Sequence, residues 1–280
     1  MGEKLLVSTD WLADHLDDPS VALFDTSWYL PTDNRIPEAE FQARHIPGAQ
    51  FFDIDAIADK ATDLPHMVPS EAEFAAAMSE MGVRNTDQVV VYDTAGLLAA
   101  PRVWWTFRLF GHENVAVLDG GMPKWEREGR PVTDQADKRP ASTYQATLNT
   151  KLLADIATVR QAAASGTAQV ADGRGAARFR GEAPEPREGL AQGRIPGSFN
   201  VFYANLIAAD GTVKDAAAIK QLFVEAGIDL DRPVITSCGS GITAAVLSLG
   251  LEIIGHPNHA LYDGSFAEWG QPGKGEVATG

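Results

Sequence analysis

The sequence predicts an α/β fold built twice in tandem, each copy a mostly parallel sheet covered by helices on both faces. The first observation is an ordered repeat. HIPGAQFFDI (45–54) returns as RIPGSFNVFY (194–203), VVVYDTAGLLAAPRVWW (89–105) as PVITSCGSGITAAVLSL (233–249), and FGHENVAVLDGGMPKWE (110–126) as IGHPNHALYDGSFAEWG (254–270). The offset is roughly 144 to 149 residues throughout, and three blocks in one order imply duplicated domains. The second observation is that short Val-rich runs alternate with amphipathic segments, the pattern of a parallel sheet between helices. The third is that most of these runs end in Asp or Gly, where a buried strand gives way to a turn.

In chain order, VALFDT, QVVVYD and VAVLDG are the strands of the first half. Between the first two lies SEAEFAAAMSEMG, a helix with Ser70 as N-cap, Glu73 at capping-box spacing and Gly82 closing it. In the second half AQVADG, PVITS and HALYDG are the strands, and DAAAIKQLFVEAG is the counterpart of the Ser70 helix. ITAAVLSLGLEII is a further apolar helix directly after PVITS. GRPVTDQADKRPASTYQ, with its prolines and small polar residues, reads as the connection. The division expected is a first domain over 1–137, a linker over 138–150 and a second domain over 151–280.

Composition narrows the function classes. Of 280 residues, 45% are hydrophobic and 22% charged, as in ordinary globular proteins. A formal charge of -15 argues against nucleic acid and anionic membranes as partners, because their phosphates would be repelled. MGEKLLVSTDWLADHLDD has no apolar core with a cleavage site, so no signal peptide is expected, and no apolar run approaches a membrane span. A single cysteine cannot form an internal disulfide, which fits a reducing compartment. A soluble cytoplasmic protein, working as a monomer, is expected. The histidines show no metal-ligand spacing and no nucleotide-binding fingerprint occurs, so neither metal nor cofactor is implied.

The single cysteine, Cys238, stands between PVITS and the following helix, in the turn CGSG. There the end of a parallel strand delivers ligands to a helix N-terminus, and Gly239 and Gly241 allow several N–H groups to converge. A sulfur anion in that position meets the partial positive charge of the helix end. A lone cysteine is usually a small core residue, but this setting favours a nucleophile. The repeat supplies the control: Asp93 aligns with Cys238, so one half carries a nucleophile and the other does not.

The paired xIPG blocks, APRVWW, YDGSFAEW and CGSGITA together resemble the two-domain rhodanese-type sulfurtransferases, over nearly the whole chain. The loop is most similar to the branch that acts on 3-mercaptopyruvate, with Ile242 for the usual Val and Arg194 for the usual His of the second xIPG block. The resemblance implies that Cys238 takes sulfur from a donor as a persulfide, which a thiol, thioredoxin or cyanide then removes. Gly239, Ser240, Gly241, Ile242 and Thr243 would form the cradle. It also implies that Arg178 and Arg187 bind the carboxylate and keto oxygens of 3-mercaptopyruvate, a task suited to the planar guanidinium fork. Asp55, His66 and Ser240 would form a proton relay for the departing pyruvate. No cofactor enters this chemistry.

The residues discriminate among donors. Thiosulfate-specific relatives place Arg and Lys after the cysteine, whereas Gly239 and Ser240 carry no charge. DGRGAARFRGEAPEPREGLAQGR (172–194) instead gathers arginines at a distance in sequence and is slightly positive in an acidic chain. Within it Arg174 and Arg180 read as partners of the interleaved acids. His45, His112 and His256 lie at repeat-related turns and read as structural. The alternatives are a thiosulfate sulfurtransferase and a non-catalytic sulfur-carrier or interaction module. A cysteine phosphatase is rejected, because Ala244 stands where Cys-x5-Arg needs its arginine.

Overall fold

The computed structural model describes residues 5–280; the first four residues of the N-terminal stretch read above lie outside it. The chain forms two compact units. The first takes the chain up to Asp59, then Val68–Asn149 and Ala208–Val213; the second takes Lys60–Met67, Thr150–Ile207 and Lys214–Gly280.

The first sheet contains β1 (Leu6–Val7), β2 (Val21–Asp25), β3 (Ala49–Phe51), β4 (Gln88–Tyr92) and β5 (Val115–Leu118), in the order β1-β5-β4-β2-β3. The second contains β6 (Leu153–Ala154), β7 (Gln169–Asp172), β8 (Phe199–Asn200), β9 (Val234–Ser237) and β10 (His259–Tyr262), in the order β6-β10-β9-β7-β8. The two orders are the same pattern, which is the duplication seen in three dimensions. Every ladder is parallel, so the sheets are more regular than the mostly parallel arrangement expected. Among the described residues, antiparallel pairing is confined to single bridges, His45 to Thr133 and Arg194 to Ala278, at matching points of the two xIPG blocks.

The central strands are Val-rich because helices flank the sheet and leave little of it to water. Val89, Val90 and Val91 of β4 are all buried, as are Val234 and Ile235 of β9. The helix Glu71–Glu80 begins at the expected cap: Ser70 Oγ accepts from Glu73 N–H at 3.3 Å, and Glu73 Oε2 accepts from Ser70 N–H at 2.8 Å. Gly82 beyond it adopts φ +72°, the left-handed turn that ends a helix. Helices Ala100–Leu109 and Ala244–Ile253 follow β4 and β9 and are almost wholly buried, the second apolar in sequence and the first carrying Arg102 and Arg108 into the interior. Residues of the expected linker are fixed to the first unit, with Ser142 N–H on Ser79 O at 2.9 Å, Thr147 N–H on Phe110 O at 3.0 Å and the Tyr144 ring buried. Among the described residues, no helix is long and apolar enough to cross a membrane.

Candidate active site

Strand β9 ends at Ser237, and the next residue is Cys238, 2% exposed. Its backbone is pinned from the side by the short helix Ser265–Trp269. Cys238 N–H donates to Ser265 Oγ at 3.1 Å, Phe266 N–H donates to Cys238 O at 3.1 Å, and Ala267 N–H donates to Gly239 O at 2.7 Å. Gly241 takes φ +84°, which a side chain would resist, and turns the loop back toward the helix Ala244–Ile253. Ser240 and Ile242 are buried in this loop, and Thr243 is half-buried at the helix cap.

The first unit shows what such a loop does with an anion. Asp93 follows β4 as Cys238 follows β9, and Gly96 has φ +97° where Gly241 has +84°. Asp93 Oδ2 accepts from the N–H groups of Leu98, Ala99 and Ala100 at 2.9, 2.8 and 2.8 Å. These correspond to Thr243, Ala244 and Ala245 in the second unit. The first loop is therefore an anion cradle closed by its own carboxylate, whereas the second presents a sulfur at the same point.

Arg178 reaches the Cys238 loop from the helix Ala176–Arg180. A Cβ placed on Gly239 would lie 2.9 Å from Arg178 Nη2, so the guanidinium keeps its place only beside a glycine. Arg187 donates from Nη2 to His66 Nε2 at 3.2 Å. Because Arg can only donate, His66 accepts at Nε2, and its ring proton is on Nδ1 when neutral. His66 is buried and holds φ +61°, unusual for a residue with a side chain. It lies in the Lys60–Met67 segment that packs as part of the second unit. Ser240 and His66 are not hydrogen-bonded to each other, and the Ser240 hydroxyl has no partner among the described residues. Asp55 is exposed in the first unit, where Trp28 Nε1 donates to its Oδ2 at 3.1 Å.

Arg174 and Arg180 pair with acids as read: Arg174 with Asp172 at 2.6 Å and Arg180 with Glu182 at 2.6 Å. The three histidines read as structural all bond to backbone carbonyls: His45 to Phe41 and Gln135, His112 to Asp87, and His256 to Asn258. Two further residues carry no sequence signal of their own: one supports Arg178 and the other the Cys238 backbone. Glu185 is buried between two arginines, and Ser265 holds the Cys238 N–H from a left-handed backbone, φ +46°. The repeat carried the signal for Ser265, since its counterpart Gly121 has φ +54°.

A cysteine at the end of a central parallel strand, in a glycine-bent loop of converging amides with an arginine against it, defines an α/β enzyme of covalent sulfur or anion chemistry. The model of the rhodanese-like domain matches residues 8–128 and 155–272, and the chain belongs to that family. It is 44% identical over 285 residues to thiosulfate/3-mercaptopyruvate sulfurtransferase 2 of Arabidopsis thaliana, covering 94% of this chain and 83% of the relative. It is 41% identical over 271 residues to the 3-mercaptopyruvate sulfurtransferase of Escherichia coli, covering 96% of each chain. The crystal structure of SseA from Escherichia coli, a 3-mercaptopyruvate sulfotransferase, superposes with a TM-score of 0.87 at 39% identity, over 94% of this chain and 98% of that one.

Proposed function

We propose that this enzyme is a 3-mercaptopyruvate sulfurtransferase working through a persulfide on Cys238. The Cys238 thiolate attacks the donor's sulfur, an S–S bond forms and the C–S bond breaks. The electron pair passes to the enolate of pyruvate, which takes up one proton. An acceptor thiol, thioredoxin or cyanide then attacks the outer sulfur, and the S–S electron pair returns to Cys238. Gly239, Ser240, Gly241, Ile242 and Thr243 cradle the persulfide anion, as the first loop cradles Asp93. Arg178 and Arg187 take the donor's carboxylate and keto oxygens. Ser240 and His66, both in the second unit, deliver the proton.

The observation that carries this reading is the contact between Arg178 and the bare Gly239. It supplies a directional cation beside the nucleophile without placing charge in the loop itself. That suits a keto acid, whose carboxylate lies several bonds from the sulfur. The first domain over 1–137 serves as the non-catalytic copy, 138–150 as the covalent linker and 151–280 as the catalytic domain, with the Lys60–Met67 segment contributing His66. The single cysteine supports a reducing, cytoplasmic setting, in which it stays a free thiol. The Arabidopsis relative carries both donors in its name, which supports thiosulfate as a second, slower donor.

The test is a paired assay: pyruvate release from 3-mercaptopyruvate, and thiocyanate from thiosulfate plus cyanide, at matched concentrations. Preference for 3-mercaptopyruvate is expected. Preference for thiosulfate would overturn the account of Gly239 and Ser240, and turnover of neither donor would support the carrier-module alternative.

A further inference from the structure

Arg178 is gripped by a buried carboxylate. Glu185 Oε1 accepts from Arg178 Nε at 3.2 Å, and Glu185 Oε2 accepts from Arg178 Nη2. The same Oε1 also accepts from Arg174 Nη1 at 2.8 Å. Arg174 is itself held at several points. It donates to Asp172 Oδ2 from Nη2 at 2.6 Å and to Gly193 O at 2.9 Å, and its guanidinium lies 3.9 Å over the Phe266 ring. Asp172 closes β7 in register with Ser237, the residue before the nucleophile. Side-chain exposure along this chain of charges runs from 1% at Asp172 and Arg174 through 3% at Glu185 to 26% at Arg178.

We propose that Glu185 is a positioning residue for the sulfur donor: it locks the Arg178 guanidinium against Gly239, so that the donor's carboxylate meets a pre-set fork. The proposal rests on the reading that Arg178 binds that carboxylate. Asp172, Arg174, Glu185 and Arg178 sum to zero charge, so Arg178 offers little net attraction. Its Nε–Nη2 edge is spent on Glu185, and Nη1 has no hydrogen bond among the described residues. What Arg178 supplies is direction. A carboxylate beside a substrate-binding arginine competes with the substrate for it, so charge alone predicts that removing Glu185 improves donor capture. Immobilisation predicts the opposite, because a long side chain fixed in advance is not ordered at the substrate's expense. At partial exposure the competing Coulomb term is screened, which gives immobilisation the larger weight.

The experiment uses the two half-reactions. In ping-pong kinetics kcat/KM for the donor reports only sulfur loading, and kcat/KM for cyanide reports only unloading. Glu185→Gln is expected to lower kcat/KM for 3-mercaptopyruvate by about tenfold, mainly through KM, and to leave kcat/KM for cyanide within about twofold. An unchanged or increased donor value would overturn the proposal, and so would an equal fall in both, which marks general damage to the loop. Should Glu185→Gln not fold, Glu185→Asp carries the same test, since it keeps the charge but is one methylene short of Arg178. A wild type that releases no pyruvate would overturn the functional reading and this proposal together; a normal wild type with an unselective loss would overturn the proposal alone.

Discussion

Arg187 donates from Nη2 to Nε2 of His66 across 3.2 Å, joining an expected substrate-binding arginine to an expected relay histidine within one unit. The bond fixes the tautomer of the ring. Long-range proton–nitrogen NMR of histidine-labelled protein should show His66 unprotonated at Nε2 and protonated at Nδ1. In Arg187→Met the signal should move toward the Nε2–H form that free imidazole favours. A wild type already carrying its proton on Nε2 would remove this contact from the account.

Gly239 makes a second prediction. Its added Cβ would press on the Arg178 guanidinium alone and on no backbone atom, so Gly239→Ala should still fold, at a cost of about 1–3 kcal/mol for the disturbed Arg178–Glu185 pair. Loading from 3-mercaptopyruvate should nonetheless fall by about tenfold, because Arg178 must leave its place. Full activity in Gly239→Ala would show that the position of Arg178 does not matter.

Ser265 joins two opposed effects. Its left-handed backbone is strained for a residue with a side chain, while its hydroxyl satisfies the Cys238 N–H and donates to Tyr262 O at 2.8 Å. Ser265→Ala keeps the strain and orphans a buried N–H, a loss of about 1–3 kcal/mol. Ser265→Gly loses the same bonds but relieves the strain, so its midpoint in urea should lie between alanine and wild type. Alanine equal to wild type would contradict this ordering.

Asp25 gives a pH signature to the first unit. Burial pushes its carboxyl up to about 6; the Ser27 hydrogen bonds oppose this and the charge of Asp93 adds to it. In the second unit Asp172 has Arg174 two residues on as its partner, whereas Asp25 is hydrogen-bonded by Ser27 and Tyr92. Because the folded state holds this proton more tightly than the unfolded chain, stability falls as pH rises from about 4 to about 6. Above that range the ionised Asp25 costs about 3 kcal/mol. Asp25→Asn should therefore stabilise the protein at pH 7 and converge on wild type near pH 4, as read by urea unfolding across that range. A difference independent of pH would contradict the assignment.

The long buried strands, the Ser70 capping box and the placement of Cys238 were legible in the sequence because each rests on local chemistry: β-branched runs, cap spacing, and glycines around a nucleophile. The outer strands β1, β6 and β8 have two residues each and β3 three, too short for any period to register. Arg174 could be assigned to neighbouring acids because its partner Asp172 is two residues away. Glu185 could not be singled out, since its role depends on two arginines meeting around one carboxylate. The packing of Lys60–Met67 with the second unit was invisible for the same reason, because chain position says nothing of a segment that leaves its own half. The Asp93 cradle emerged only when both loops could be compared as backbones, although the alignment had already paired Asp93 with Cys238.

The most direct test of the central claim is intact-protein mass spectrometry after exposure to 3-mercaptopyruvate without acceptor. The account predicts a gain of one sulfur atom, located by fragmentation to Cys238, removed by cyanide and absent from Cys238→Ser. A wild type that releases pyruvate while its mass stays unchanged, or a Cys238→Ser variant that still gains sulfur, would contradict it.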